Sequence, residues 1–297
     1  MDIVELYVIL DDFCKKFMPR YIKLLKNKGI KVRNKSCMLE MSEIILIIAL
    51  FPDSGYKCFK WYYIEKVCNS YRTYFPNLPS YNRFVELMPE SLLILARFMN
   101  YLMYMFRKQS TGVNFIDSTR IPVCHNKRTH SHKVFSSIAE IGKSTMGWFY
   151  GFKLHFIIDI YGHITSYKFT KGNKDDRSPV LQLTKNIWGK LFGDKGYIGK
   201  ELAEELNNNG ITLITPYKKN MKARLLPVNF FDIIMSKKRV LIESVTNILK
   251  NKLQLCHTRH RSIKNFCVHL LAVLIGYQLS PNKPSISINN DNLQLNY

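Results

Sequence analysis

TGVNFIDSTRIPVC, residues 111–124, is where the chain changes character. β-Branched and aromatic side chains crowd the stretch after Gly112, and Asp117 follows Val113, Phe115 and Ile116. That texture predicts a strand. Two more predicted strands come soon after: GWFYGFKLHFIIDIYG (147–162) and, past a turn at Tyr161-Gly162, GHITSYKFTKG (162–172). Next, DDRSPVLQLTKNIWG (175–189) reads as a helix with Ser178 as N-cap and Pro179 at its first position. KLFGD (190–194) is a short buried strand. GKELAEELNNNG (199–210) is a helix ended by Gly210, and ITLITPYKK (211–219) is a fifth strand. A long helix covers 230–255 and another 262–279. Three adjacent strands suggest an antiparallel meander, and helix-separated strands suggest parallel additions to the same sheet. The expectation is a mixed α/β sheet flanked by helices.

Upstream, residues 1–108 read as all helical. Ser42 with Glu43 opens a helix at MSEIILIIAL (41–50). PDSGYK is a turn, residues 57–75 form a helix ended by Pro76, and Ser80 is an N-cap for YNRFVELM (81–88). A long apolar helix then reaches Phe106. The expected domains are therefore 1–108, helical and DNA-binding; 109–280, catalytic; and 281–297, a polar tail that frays.

Composition narrows the class. The chain has 297 residues, 46% hydrophobic and 13% aromatic, which supports a real core and argues against disorder. Lys and Arg number 44 against 22 Asp and Glu, a formal net charge of +22. AT-rich codon usage inflates Lys but does not explain so few acids. A surplus of this size points to a polyanionic partner, with nucleic acid favoured. Seven widely spaced cysteines without a C-x-x-C suit reduced thiols in a cytoplasm and oppose a disulfide framework or a zinc site. The acidic N-terminus is not a signal peptide. The most apolar stretches fall below the ~20 residues that span a bilayer, so they read as core helices and no membrane is expected.

Three carboxylates hold special places. Taken alone, Asp117 reads as a strand-end aspartate. Asp194 closes the fourth strand, where ligands bind in mixed α/β sheets, yet it serves equally as an N-cap. Glu243 in VLIESVTNILK has an ordinary solvated helix face as its plain reading. At about 100° per residue, Arg239, Glu243 and Lys250 fall within roughly 40° of one another, opposite Leu241, Val245, Ile248 and Leu249. An i,i+4 ion pair between Arg239 and Glu243 explains that stripe without any chemistry. Together, however, two strand-end aspartates and a helical glutamate are the right inventory for Mg²⁺, which prefers carboxylate oxygen. Two such ions can activate an attacking oxygen and stabilise a leaving one.

These residues resemble a known family. Asp117 in FIDST, Asp194 in GDKGY and Glu243 in RVLIESVTNILK look like the DDE motif of bacterial insertion-sequence transposases. The spacing Arg239, Glu243, Lys250 matches an arginine–glutamate–lysine pattern common in those enzymes. The pattern usually begins with a tyrosine three positions before the arginine, where this chain has Ser236. SGYKCFKWYYIEKV, PNLPSYNRFVELM and RHRSIKNFCVHLLAVLIGYQL also look like segments of a small bacterial group, so the resemblance covers nearly the whole chain.

The resemblance implies a ribonuclease-H-like fold and a Mg²⁺-dependent transposase in which Mn²⁺ substitutes. Asp117, Asp194 and Glu243 would hold two metal ions. Water would nick DNA at the element's ends, and the freed 3′-hydroxyl would attack target DNA. Lys250 would contact a phosphate, and Arg239 would orient the helix or touch DNA. The implied partners are double-stranded DNA, as terminal inverted repeats and target, and further copies of the chain in a dimer or larger multimer. The implied location is the bacterial cytoplasm, with the nucleoid. A ribonuclease-H-like nuclease without strand transfer and a silent DNA-binding relic are the competing readings.

Several basic groups are candidates for phosphate contact. Lys127, Arg128 and Lys133 share a loop with His125, His130 and His132, whose metal-site reading is the weaker one. Lys218, Lys219, Lys222 and Arg224 form a second basic loop, and Arg259, Arg261 and Lys264 a third. Asn82 and Arg83 suit the start of a helix docked on DNA. Asp175 and Asp176 read as turn acids, with Asp176 able to assist the site.

Overall fold

The computed structural model describes residues 2–29, 38–145, 147–216, 229–256, 260–289 and 292–296. It divides into two compact units: Met1–Tyr101 with Lys252–Leu255 and His260–Pro281, and Leu102–Asn251 with Cys256–Arg259 and Asn282–Tyr297.

The first unit is helical. It contains α1 (Ile3–Asn27), α2 (Met41–Leu50), α3 (Phe59–Trp61) running into a π-helix at Tyr62–Ser70, α4 (Tyr81–Leu87) and the start of α5 (Leu92–Arg107). α2 is buried from Ile44 to Ala49 with no polar face, as a core helix must be. α10 (Ile263–Leu279), inside the stretch expected to be catalytic, packs on α2 instead. The two helices come close at Gly276, where an added Cβ would just touch the Ala49 carbonyl oxygen at 3.4 Å. Ser80 caps α4 as expected, accepting from the Arg83 N–H. The start of α2 differs: Glu40 is the N-cap, and the Glu43 carboxylate accepts from the Glu40 N–H at 2.7 Å. No described helix is long and apolar enough to cross a membrane.

The second unit is built on one mixed sheet: β1 (Val113–Pro122), β2 (Glu140–Ser144), β3 (Gly147–Asp159), β4 (Ile164–Lys171), β5 (Gly189–Phe192) and β6 (Ile211–Ile214). β1 lies antiparallel to β3, which also pairs with β4 and β2, while β5 and β6 add parallel strands on the other side of β1. The order β4-β3-β1-β5-β6 is the expected mixed sheet, an antiparallel meander with parallel additions. β3 is buried almost continuously from Phe149 onward, because it is covered on both faces. On one face Ile116, Ile157, Leu191 and Ile211 join Val180 of α6 (Val180–Leu183), Tyr197 and Leu206 of α7 (Lys200–Asn208) in a core.

Four details depart from expectation. β2 has too little hydrophobic alternation to read as a strand. The helix at 175–189 shrinks to α6, a single turn capped at Pro179 rather than Ser178, followed by a 3₁₀ turn. The helix at 230–255 breaks at Arg239 into α8 (Phe230–Lys238) and α9 (Val240–Asn247), then widens into a π-turn at Ile248–Lys252. The tail does not simply fray: β7 (Ser285–Asn289) pairs with β8 (Asn292–Asn296), and the Ile286 N–H donates to the Ile160 carbonyl at 2.7 Å.

Candidate active site

The pairing of β1 creates the site. β1 meets β5 only over Val113–Phe115, the last pair being Phe115 with Phe192. Beyond that point β1 continues against β3, and Asp117 stands opposite Phe156. Its other edge is released where β5 ends. Gly193 follows and its N–H donates to the Ile214 carbonyl, so the backbone stays in line for one more residue before turning at Asp194. A Cβ on Gly193 would crowd Tyr197 at 3.1 Å and Ile116 at 3.3 Å, so this glycine lets the turn lie flat on β1.

Asp194 does cap the following 3₁₀ turn, accepting from the Lys195 N–H at 2.7 Å. The capping reading therefore holds, and the cap engages Oδ1. The residue is exposed and its charge acts on Asp117. Glu243 lies in the first turn of α9, which packs on β1. Its carboxylate pairs with Arg239 at 2.8 Å, the ion pair that the spacing allowed.

The electrostatics tie these groups together. Burial pushes the Asp117 carboxyl up to about 6, and the negative charges of Asp194 and Glu243 add to the rise. The Ser118 N–H, 2.8 Å from Oδ1, and the Arg239 charge oppose it. Burial pushes the Lys250 ammonium down, while Asp117 among its neighbours pulls it back up. Lys250 thus lies within reach of Asp117's charge despite the π-turn, which ends the 100° rule after Asn247. That turn leaves Ile248 half-buried, while Ile242 is fully buried in its place.

Tyr197 is a group that carboxylate counting misses, though it stands in the same GDKGY stretch. Its ring is 3% exposed, and its buried hydroxyl lies beside the Ser118 side chain. Burial raises its pKa well above the ordinary value, with Asp117 and Asp176 adding to the effect, so it remains a neutral donor. Asp176 is held by Lys153 at 2.9 Å, beside the fully buried His155. Burial pushes His155 down to about 4, which keeps the ring neutral near pH 7. Asp175 turns away to Arg177. Ser236 donates to the Asp232 carbonyl at 2.7 Å, within its own helix.

The remaining candidates lie elsewhere. Lys127, Arg128 and Lys133 are exposed on the loop between β1 and β2. Of the histidines there, His125 accepts from the Lys127 N–H and His132 packs on Phe135. Asn82 and Arg83 are exposed on α4 in the helical unit, where Arg83 pairs with Glu86. Lys218, Lys219, Lys222, Arg224 and Arg259 lie outside the described residues.

The donor set suits a hard divalent cation: carboxylate oxygens only, with like charges already raising Asp117. Among the described residues no group of three or more His, Cys, Asp or Glu side chains is placed to hold a metal ion, so the three carboxylates are not drawn into one coordination shell here. Glu243 would have to exchange Arg239 for the cation.

Residues 107–263 match the family model described as transposase DDE domain, which spans more than half of the chain. The cryo-EM structure of a piggyBac transposase synaptic complex with hairpin DNA is similar at 10% identity and a TM-score of 0.49, over 94% of this chain and 74% of that one. No curated protein matches.

Proposed function

Because this chain belongs to the transposase DDE domain family, we propose that it cuts and joins DNA at the ends of its own bacterial insertion sequence. Strand cleavage by water comes first; the freed 3′-hydroxyl then attacks a phosphodiester of target DNA, forming a new P–O bond as the target's own 3′-oxygen leaves. The observation that carries this reading is the Asp117 carboxyl in mid-β1, which burial raises to about 6 and to which the charges of Asp194 and Glu243 add. Carboxylates that repel a buried neighbour are a costly arrangement that a polyvalent cation offsets.

Asp117, Asp194 and Glu243 would hold two divalent cations, Mg²⁺ or Mn²⁺. When bound, these lower the pKa of water and neutralise charge on phosphate oxygens. Asp117 is more than half ionised at neutral pH, which suits it to that task. Arg239 keeps the Glu243 carboxylate oriented until it is needed. Lys250, on the next stretch of helix, offers its ammonium to a phosphate oxygen. The excess of cations over the whole chain holds the duplex, through Lys127, Arg128, Lys133, Lys218, Lys219 and Arg83, with the Asn82 amide as a neutral hydrogen-bonding contact. The active form is a multimer that brings two element ends together, in the bacterial cytoplasm.

Asp194→Asn tests the reading directly. It should abolish Mg²⁺-dependent cleavage of an element end and leave DNA binding nearly intact. Normal cutting by this variant would remove Asp194 from the site. Pre-cut ends then separate transposition from simple hydrolysis, since only a transposase yields a joined product.

A further inference from the structure

A second concave surface lies on the same unit, at the β2–β3 hairpin. It is a cleft of about 160 Å³ bordered by Asn126, His130, Ile141, Trp148 and Tyr150. That is several times the ~30 Å³ share of one water, room for a single heterocycle rather than a strand of polymer. Trp148 is 59% exposed and Ile141 49% exposed, unusual for large apolar side chains on neighbouring strands. The site is built firmly. The Asn126 amide donates to the Trp148 carbonyl at 2.8 Å, tying the loop to the hairpin. Lys143, the cross-strand partner of Trp148, holds its ammonium 5.6 Å from the ring centre. Phe149 and Tyr150 behind it are buried.

The charge around the cleft is mainly positive. Lys127, Arg128, Lys133 and Lys143 are exposed on its loop and hairpin; of the two acids on β2 and β3, Glu140 is paired with Lys171 and Asp159 lies at the far end of β3 against His163. A rigid exposed indole, hydrogen-bonding groups at its rim and a ring of cations together match an unstacked base on a phosphate backbone. From this we infer that the β2–β3 hairpin takes one unpaired DNA base, stacked on Trp148, with Lys143 and the Arg128 loop on the flanking phosphates. The inference rests on the DNA-processing reading above and deepens it. Trp148 is eight residues along β3 from Phe156, the partner of Asp117, which is up to roughly 26 Å of strand. The captured base is therefore several nucleotides from the bond being cut, and its capture holds opened DNA in place.

The test uses the full chain and two probes: an intact duplex, and the same duplex with a short single-stranded gap carrying 2-aminopurine. The wild type should bind the gapped probe more tightly and quench its fluorescence by stacking. Trp148→Ala should weaken gapped binding about tenfold and abolish the quench, with duplex binding unchanged, and Trp148→Phe should restore most of both. If Trp148→Ala leaves gapped binding and quench intact while duplex binding persists, the base site is wrong and the function stands. A wild type that binds neither probe would overturn both. Self-association lost in Trp148→Ala, with DNA binding untouched, would make the cleft a protein contact and overturn the base site.

Discussion

At the scale of single residues, Asp117 carries the most information. Its carboxyl holds a proton more tightly in the folded chain than a free aspartate does, because burial and two neighbouring carboxylates penalise the charge. Ionised Asp117 therefore opposes folding, progressively from about pH 4 and fully above about pH 6. Asp117→Asn should stabilise the metal-free protein at pH 7–8, on the order of 1 kcal/mol after allowance for partial exposure. The gain should vanish toward pH 4, which thermal melts across that range would show. Arg239 opposes the same rise. Arg239→Ala should move the Asp117 titration above about 6, as read by carboxyl-carbon NMR; an unchanged midpoint would mean that the guanidinium does not act on this group. Asp117, Asp194 and Glu243 were all legible in the sequence as residues. Their mutual influence was not, since it depends on β1 outrunning β5. Tyr197 escaped for a related reason: a tyrosine after a glycine is unremarkable until the fold buries its hydroxyl near Asp117 and Asp176.

Among elements, those with strong local codes were readable. β3 and β4 declare themselves by aromatic and β-branched runs, and α4 by Ser80 at its cap. β2 does not, because tertiary contact makes it a strand. Gly142 lies so close to β4's end that a Cβ would sit 2.1 Å from the Gly172 carbonyl oxygen. Gly142→Ala should therefore force the hairpin away from β4 at a cost of about 2–4 kcal/mol, measurable by chemical denaturation. A neutral effect would show that the strands part easily. The long C-terminal helix departed in the other direction. Periodicity supported one continuous element, yet the chain breaks at Arg239 and widens at Ile248. Helical spacing is a local rule, and packing α9 on β1 overrides it.

For the whole molecule, charge governs behaviour toward DNA. A net charge of +22 predicts DNA affinity that collapses with salt. If about six phosphates are neutralised, binding should fall on the order of 10³-fold between 50 and 200 mM salt. A flat salt dependence in a titration would contradict phosphate-driven binding. Composition and pattern alone determined a basic chain, a helical start, a mixed sheet and three acids in order, because charge, periodicity and turn chemistry are written locally. Tertiary structure decided the rest. It set α10 against α2, paired the tail into a hairpin, and, among the described residues, left the far half of β1 without a strand partner on its β5 side. Burial then raised Asp117 to about 6, an outcome no spacing rule contains, because desolvation is a property of what surrounds a group and not of its place in the chain.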